Sequence, residues 1–83
     1  PNPFNPTTVI AFSLPERSRV TVEVFNILGQ RVRRLLDEER PSGDYRVVWN
    51  GTDQSGNQVA SGVYLYRLQA ADRVTARKMV LLR

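Results

Sequence analysis

The segment from Val47 to Leu68 constrains the fold of this chain more than any other. It begins and ends with residues typical of β-strands, and the connection between them is rich in Gly, Asn, Asp and Ser. Val47 and Trp49 are two residues apart, so they share one face of a strand. The only Trp of a small domain is most economically placed in its core. We therefore expect Trp49 to be buried between layers of strands.

The connection itself predicts turns rather than a ligand site. Asp53, Ser55 and Asn57 alternate as at the start of a calcium loop, but no bidentate Glu follows at the required distance. Asx-turn hydrogen bonds explain these side chains better, so we predict no metal site. Turns often need a residue with positive φ, which we expect at Gly51, Gly56 and Gly62.

The remaining sequence consists of short β-forming segments separated by turn signals roughly every ten residues, without helical periodicity. The valines at positions 20, 22 and 24 alternate with polar residues and are predicted to face inward. Residues 1–83 therefore predict one all-β domain, an immunoglobulin-like antiparallel β-sandwich of six to seven short strands that lacks the Cys pair. The predicted strands are residues 8–14, 19–25, 30–36, 44–49, 63–70 and 74–82.

Three segments depart from simple alternation. Residues 1–6 contain three prolines, which favours an extended segment along an edge, with Phe4 packed onto the body. In the third predicted strand the alternation slips, and a β-bulge near Arg33 and Arg34 would restore an inward apolar face. Residues 37–43 are polar and contain Pro and Gly, so we expect a loop there.

Composition excludes several classes of function. The chain contains no Cys and no His, which excludes disulfides and thiolate metal sites and removes the commonest general base. No nucleophile–base pair can be assembled from the motifs present, so we predict that the domain is not an enzyme and has no cofactor. No apolar run approaches the ~20 residues of a membrane-spanning helix, so we expect no membrane insertion.

The charge of +4 and the pI of about 10.4 raise the question of nucleic-acid binding. The eleven arginines are spread along the chain, and the nearest approach to a cluster, at positions 31, 33 and 34, is followed by acidic residues at positions 37 to 39. A nucleic-acid-binding face usually concentrates its basic residues. We interpret the arginines as solvated, outward positions of strands and predict no nucleic-acid partner.

Aromatic residues leave a further alternative open. Tyr45, Trp49, Tyr64 and Tyr66 could form a platform on which sugar rings stack. Tyr45 and Trp49 have inward parity, which favours core packing. Tyr64 and Tyr66 share a face opposite Val63, so carbohydrate binding stays as a third hypothesis.

Several motifs, taken in order, resemble the C-terminal sorting domains of the type IX (Por) secretion system. The motifs are P-N-P-F-N-P at residues 1–6, I-L-G-Q-R-V at 27–32, W-N-G-T-D-Q-S-G at 49–56, S-G-V-Y at 61–64 and K-M-V-L-L at 78–82. The part from Trp49 to Tyr64 also resembles the immunoglobulin-like domain of the flagellar hook-capping protein. The opening and closing motifs favour the sorting domain.

This resemblance implies a non-catalytic sorting module at the C-terminus of a longer secreted protein. Such domains direct an N-terminal cargo domain, attached in cis, through the periplasm and outer membrane to the cell surface. Their partners are an outer-membrane translocon and a sortase-like peptidase, which removes the domain during release or anchoring to lipopolysaccharide; we expect a monomer. The resemblance assigns recognition to Gly62, Tyr64, Lys78, Met79, Val80, Leu81 and Leu82.

Two observations qualify this assignment. The reversal at residues 71–73 begins with Ala71 where the family often has Gly, which leaves the turn type open. Lys78 could simply protect an edge strand from aggregation by its charge. The alternative function is a structural or adhesive immunoglobulin-like module, either hook-cap-like or accessory to a glycoside hydrolase.

Overall fold

The computed structural model describes residues 7–83, which form six strands and two antiparallel sheets. The larger sheet has the order β3-β2-β5-β6, and the smaller sheet pairs β1 with β4. Among the described residues, no helix is long and apolar enough to cross a membrane. The all-β prediction is confirmed, whereas the segment predicted for residues 1–6, including Phe4, lies outside the described residues. The strands are β1 Thr8–Leu14, β2 Ser18–Asn26, β3 Arg31–Arg40, β4 Gly43–Trp49, β5 Gly62–Ala70 and β6 Arg73–Leu81.

The core lies between the two sheets and is centred on the single Trp. Trp49 is 0% exposed, as expected, and the centroid of its ring lies 5.1 Å from that of Tyr64 in an edge-on arrangement. Its Nε1–H donates a hydrogen bond of 2.9 Å to the carbonyl oxygen of Thr52. The three alternate valines of β2 are fully buried, as their pattern predicts. The other buried apolar residues are Ile10, Leu14, Ala70, Met79 and Leu81.

The irregularity predicted in the third strand is present as two register shifts. Val32 and Leu35 have no partner residue in β2, because the pairing skips each of them. These extra residues flank the predicted position at Arg33 and Arg34. A bulge rotates the strand locally, which allows the consecutive residues Leu35 and Leu36 to pack, partly buried, against the core.

The loop predicted for residues 37–43 is wrong in its first half. Residues 37–40 continue β3 and pair with the beginning of β2. Two ion pairs stabilise this segment, one of 2.9 Å between Arg19 and Asp37 and one of 3.1 Å between Arg17 and Glu39. Cross-strand pairs of opposite charge can hold an outward-facing strand that has few apolar residues. The connection to β4 is therefore only two residues long.

The connection between β4 and β5 closes one end of the sandwich. Asp53 Oδ1 accepts hydrogen bonds from the backbone N–H groups of Ser55 (3.0 Å) and Asn57 (2.9 Å), which is the expected Asx turn. The N–H of Gln54 donates to the carbonyl of Val32, 3.0 Å away, and so ties the connection to β3. Positive φ is confirmed at three glycines: Gly51 (76°), Gly56 (89°) and Gly62 (155°).

Gly51 also permits a close contact with the end of the chain. A Cβ atom at this position would lie 2.8 Å from Nη2 of Arg83 and 3.2 Å from Cδ1 of Leu81. The Arg83 guanidinium donates hydrogen bonds to the carbonyl oxygens of Gly51 and Val59. The same connection therefore touches β3 at one point and the residues after β6 at another.

We expect Trp49→Phe to lower the free energy of unfolding by about 2 kcal/mol, because it leaves a cavity and removes the hydrogen bond to Thr52. Urea unfolding followed by far-UV circular dichroism measures the change. Val48→Thr is the matched control, because Val48 is the exposed neighbour on the same strand; a change within about 0.5 kcal/mol is expected there. Equal losses in the two variants would contradict the burial of the indole.

We expect Ala71→Gly to raise the free energy of unfolding by roughly 0.5–1 kcal/mol, because Ala71 has a φ of 55°. The two residues that join β5 to β6 are Ala71 and Asp72, since Ala70 pairs with Arg73. Ala76→Gly, the same substitution within β6, is expected to lower stability by about 0.5–1 kcal/mol. Thermal unfolding of both variants tests the pair, and destabilisation by both would contradict a strained turn.

Candidate interaction surface

Six of the seven residues assigned to recognition lie on β5 and β6, and Leu82 directly follows β6. They divide into buried and exposed residues. Tyr64, Met79 and Leu81 point into the core and are buried. The hydroxyl of Tyr64 donates a hydrogen bond of 2.7 Å to the carbonyl oxygen of Ala60. Gly62 begins β5 and pairs with Leu81. These four residues therefore hold the fold together and are not an open recognition surface.

The other three residues are exposed to solvent, and two of them, Lys78 and Val80, lie on the outer face of the larger sheet. Val80 is 58% and Leu82 74% exposed, and Lys78 is exposed between Met79 and Val80. Val80 pairs with Val63 of β5, and Lys78 pairs with Leu65. Val63 and Leu65 are themselves 40% and 39% exposed. We call Val63, Leu65, Val80 and Leu82 the outer apolar surface.

The residues of β5 and β2 that complete this surface were not singled out from sequence. Phe25 of β2 pairs with Leu65, and the guanidinium of Arg67 lies 5.1 Å from the centroid of the Phe25 ring. With Ala76, these residues line a shallow groove of about 280 Å³. The sequence does contain an indication of this surface, because β5 is apolar on both faces. That pattern predicts burial on both sides, whereas in residues 7–83 no second layer covers the outer face.

A charge cluster lies beside this apolar surface. Glu23 faces outward from β2 but is only 6% exposed, because three arginines cover its carboxylate. Arg67 Nη2 lies 2.8 Å from Glu23 Oε1, while Arg31 Nη1 and Arg34 Nη2 lie 3.0 and 3.3 Å from Oε2. The sequence analysis interpreted the arginines as solvated, outward positions of strands. For these three that interpretation is incomplete, because each forms an ion pair with the buried Glu23. They join β2 to β3 and to β5 across the outer face.

The pKa of Glu23 reflects two opposing effects. Burial of the carboxyl raises the pKa, and the hydrogen bonds from Arg67, Arg31 and Arg34 lower it by more, so that the net pKa is below its ordinary value of 4.5. The ionised form is thus stabilised in the folded protein. This carboxylate is already paired on both oxygens, so it is suited to holding strands together rather than to proton transfer.

The aromatic residues do not form an open stacking platform. Trp49 and Tyr64 are buried, and the half-buried Tyr45 stacks on Phe12 with ring centroids 5.4 Å apart. Within residues 7–83, no three acidic, His or Cys side chains are grouped so that they could hold a metal ion. The surface chemistry of this part of the chain is therefore apolar contact, ion pairing and strand pairing.

We expect Glu23→Gln to lower the free energy of unfolding at pH 7 by about 1–2 kcal/mol, a value reduced for the partial exposure of the arginines. Because the folded pKa is below 4.5, the contribution of Glu23 is fully present above pH 4.5 and is lost as the pH falls through the folded pKa. Urea unfolding of both proteins from pH 7 to pH 3 should therefore show the difference shrinking. Glu38→Gln, at an exposed carboxylate, is the control; a difference independent of pH would contradict the ion-pair cluster.

Comparison with known proteins agrees with one of the two resemblances. The model of the FlgD Ig-like domain family matches residues 2–73. FlgD from P. aeruginosa, a solved structure, superimposes with a TM-score of 0.70 and 26% identity over 93% of this chain and 62% of that chain. This chain thus corresponds to less than two thirds of that protein. No curated protein matches the chain significantly.

The comparisons support the relation to the hook-capping protein, and none of them supports a type IX sorting domain. The family match ends at Arg73, so Lys78 and the residues after it lie beyond it. The part that is matched contains the buried Trp49, the closing connection and Tyr64. From this match, the chain belongs to the family of FlgD Ig-like domains.

Proposed function

We propose that this domain is a non-catalytic structural module, hook-cap-like in kind, that presents a protein-binding surface within a larger assembly. The observation that supports this most directly is the match of the FlgD Ig-like domain family to residues 2–73. The role of the domain is to hold surfaces in a fixed geometry for other proteins or domains.

The outer apolar surface is the part best suited to such a contact. Val63 pairs with Val80, Leu65 is the next outward residue of β5, and Leu82 directly follows β6. Ile27 and Leu28, in the turn after β2, are also exposed. Contiguous exposed apolar residues with a charged rim are typical of protein–protein contacts. The ion-pair cluster around Glu23 provides that rim and keeps the neighbouring strands in register.

A second candidate function is a secretion and sorting module, as the resemblance of the chain's two ends implies. The observation that favours it is the position of Lys78 and Val80 on the edge strand β6, with Leu82 directly after it and all three exposed. An outer-membrane translocon could bind that face or pair with the strand edge. Its further partners would be the sortase-like peptidase and the cargo domain in cis, and its location the cell surface.

A reporter fusion separates the two functions. A secretory signal peptide and a folded reporter are joined to the N-terminus of residues 1–83 and expressed in a bacterium that has a type IX secretion system. A structural module is expected to leave the reporter inside the outer membrane, so surface labelling by a non-permeant biotin reagent should match that of the reporter alone. Surface delivery of the fusion would contradict the structural proposal and support sorting.

A variant of the outer apolar surface then tests the proposed contact in the parent protein. We expect the double substitution Leu65→Ser and Val80→Ser to weaken incorporation of the parent protein into its assembly about tenfold or more, from the loss of two apolar contacts. Val9→Ser with Val48→Ser is the matched control, because this exposed cross-strand pair lies on the smaller sheet. Truncation of β6 is uninformative, since it removes Met79 and Leu81 from the core. Equal effects of the two double variants would contradict the assignment of the surface.

A further inference from the structure

The smaller sheet covers only part of the larger one. β4 lies on the side of β3, so β1 is the strand nearest to β5 and β6. On β6, Met79 and Leu81 are buried, but Arg77, Thr75 and Arg73, which have the same parity, are exposed. The core-side face of β6 is therefore uncovered from Arg73 to Arg77, whereas Tyr66 and Leu68 of β5 beside it stay partly buried.

A groove of about 320 Å³ lies at this uncovered position. Phe12 and Leu14 of β1 form one wall, and Leu68 of β5 and Thr75 of β6 form the other. Within residues 7–83, β1 pairs only with β4, so its second edge carries backbone N–H and C=O groups without a strand partner. An open strand edge beside an apolar wall is complementary to an extended peptide.

The charges of the uncovered face define the partner further. Arg73 and Arg77 form no ion pair with a carboxylate of residues 7–83, unlike the arginines around Glu23. Glu16 and Asp72 line the groove at the end that contains Arg73. Arg77, further along the same face, has no acidic residue opposite it in β5, since it pairs with Tyr66. A complementary strand would thus place an acidic side chain over Arg77.

We propose that this is a strand-acceptor groove, which binds an extended segment of a partner protein as a third strand of the smaller sheet. The segment pairs along the free edge of β1, places alternate apolar side chains against Leu68 and Phe12, and places one carboxylate at Arg77. It would complete the cover of the larger sheet. The groove faces the side of the larger sheet opposite to the outer apolar surface, so the two surfaces can be tested separately.

The probe is a synthetic seven-residue peptide, acetyl-TVTLTET-amide, whose length matches the seven residues of β1. It is titrated into the ¹⁵N-labelled 83-residue chain, followed by two-dimensional NMR. We expect the largest shifts at the amides of Val9, Ala11 and Ser13 and along residues 66–77, with slower amide exchange in β1. A control peptide with Pro at two alternate positions cannot donate the strand hydrogen bonds and should not bind. Absence of shifts, or shifts confined to Val80 and Leu82, would overturn the proposal.

A charge exchange tests the assignment of Arg77, which is exposed and can be changed without removing core contacts. Arg77→Glu should weaken binding of the peptide about tenfold, as expected for a partly desolvated charge pair. A peptide with Lys in place of its Glu should recover that loss in the variant but bind the original chain poorly. Equal affinities in all four combinations would overturn the role of Arg77.

Two other occupants are distinguished by amide exchange in the free chain. Slow exchange along β1 that depends on protein concentration would assign the groove to a second copy of this chain. Slow exchange that is independent of concentration, and is lost when residues 1–6 are removed, would assign it to that segment. Either result would overturn binding of a partner strand, which requires the β1 edge to exchange freely before the peptide is added.

Discussion

The burial of one indole ring between two unequal sheets is the interaction on which the rest of this structure depends. Trp49 fills the gap between β4 and β5, its edge-on contact with Tyr64 joins the two sheets, and its N–H bonds the first turn of the long connection. A domain of this size buries a small core, so a single large aromatic side chain supplies much of the apolar area. The connection that it anchors is hydrogen-bonded to β3, from the N–H of Gln54 to the carbonyl of Val32. It is also hydrogen-bonded to Arg83, whose guanidinium donates to the carbonyl of Gly51.

The inequality of the sheets leaves part of the larger sheet uncovered. Two strands cannot cover four, so the core-side face is closed at Met79 and Leu81 and open at Arg77. On the outer side, the arginines around Glu23 cover part of the sheet, and the apolar residues of β5 and β6 stay uncovered. The module therefore has two surfaces of different chemistry, one a flat apolar face and the other a groove beside an open strand edge.

The local pattern of this sequence predicts the strands well because each strand has one buried face. Alternation at Val20, Val22 and Val24, and the isolated Trp49, determine the inward side without knowledge of the partners. Long-range electrostatics cannot be read in this way. The extension of β3 depends on ion pairs with residues about twenty positions earlier, and the burial of Glu23 depends on Arg67, 44 residues away.

The assignment of recognition residues stays a prediction, but the structure shows which of them are buried and which are exposed. Strand parity at Lys78–Leu82 distinguishes core residues from surface residues only once the direction of the core is known. Of the two motifs expected to favour the sorting domain, residues 2–6 of the opening one fall inside the match to the FlgD Ig-like domain, and only the closing one at 78–82 lies beyond it. The motif that the families share, from Trp49 to Tyr64, encodes the fold.

The central claim, that the Trp49 indole is buried between the two sheets, can be tested directly by hydrogen exchange of its N–H, which is resolved in NMR spectra. Exchange as slow as that of the most protected backbone amides, through global unfolding alone, is the predicted result; exchange at the rate of an open side chain would contradict the account.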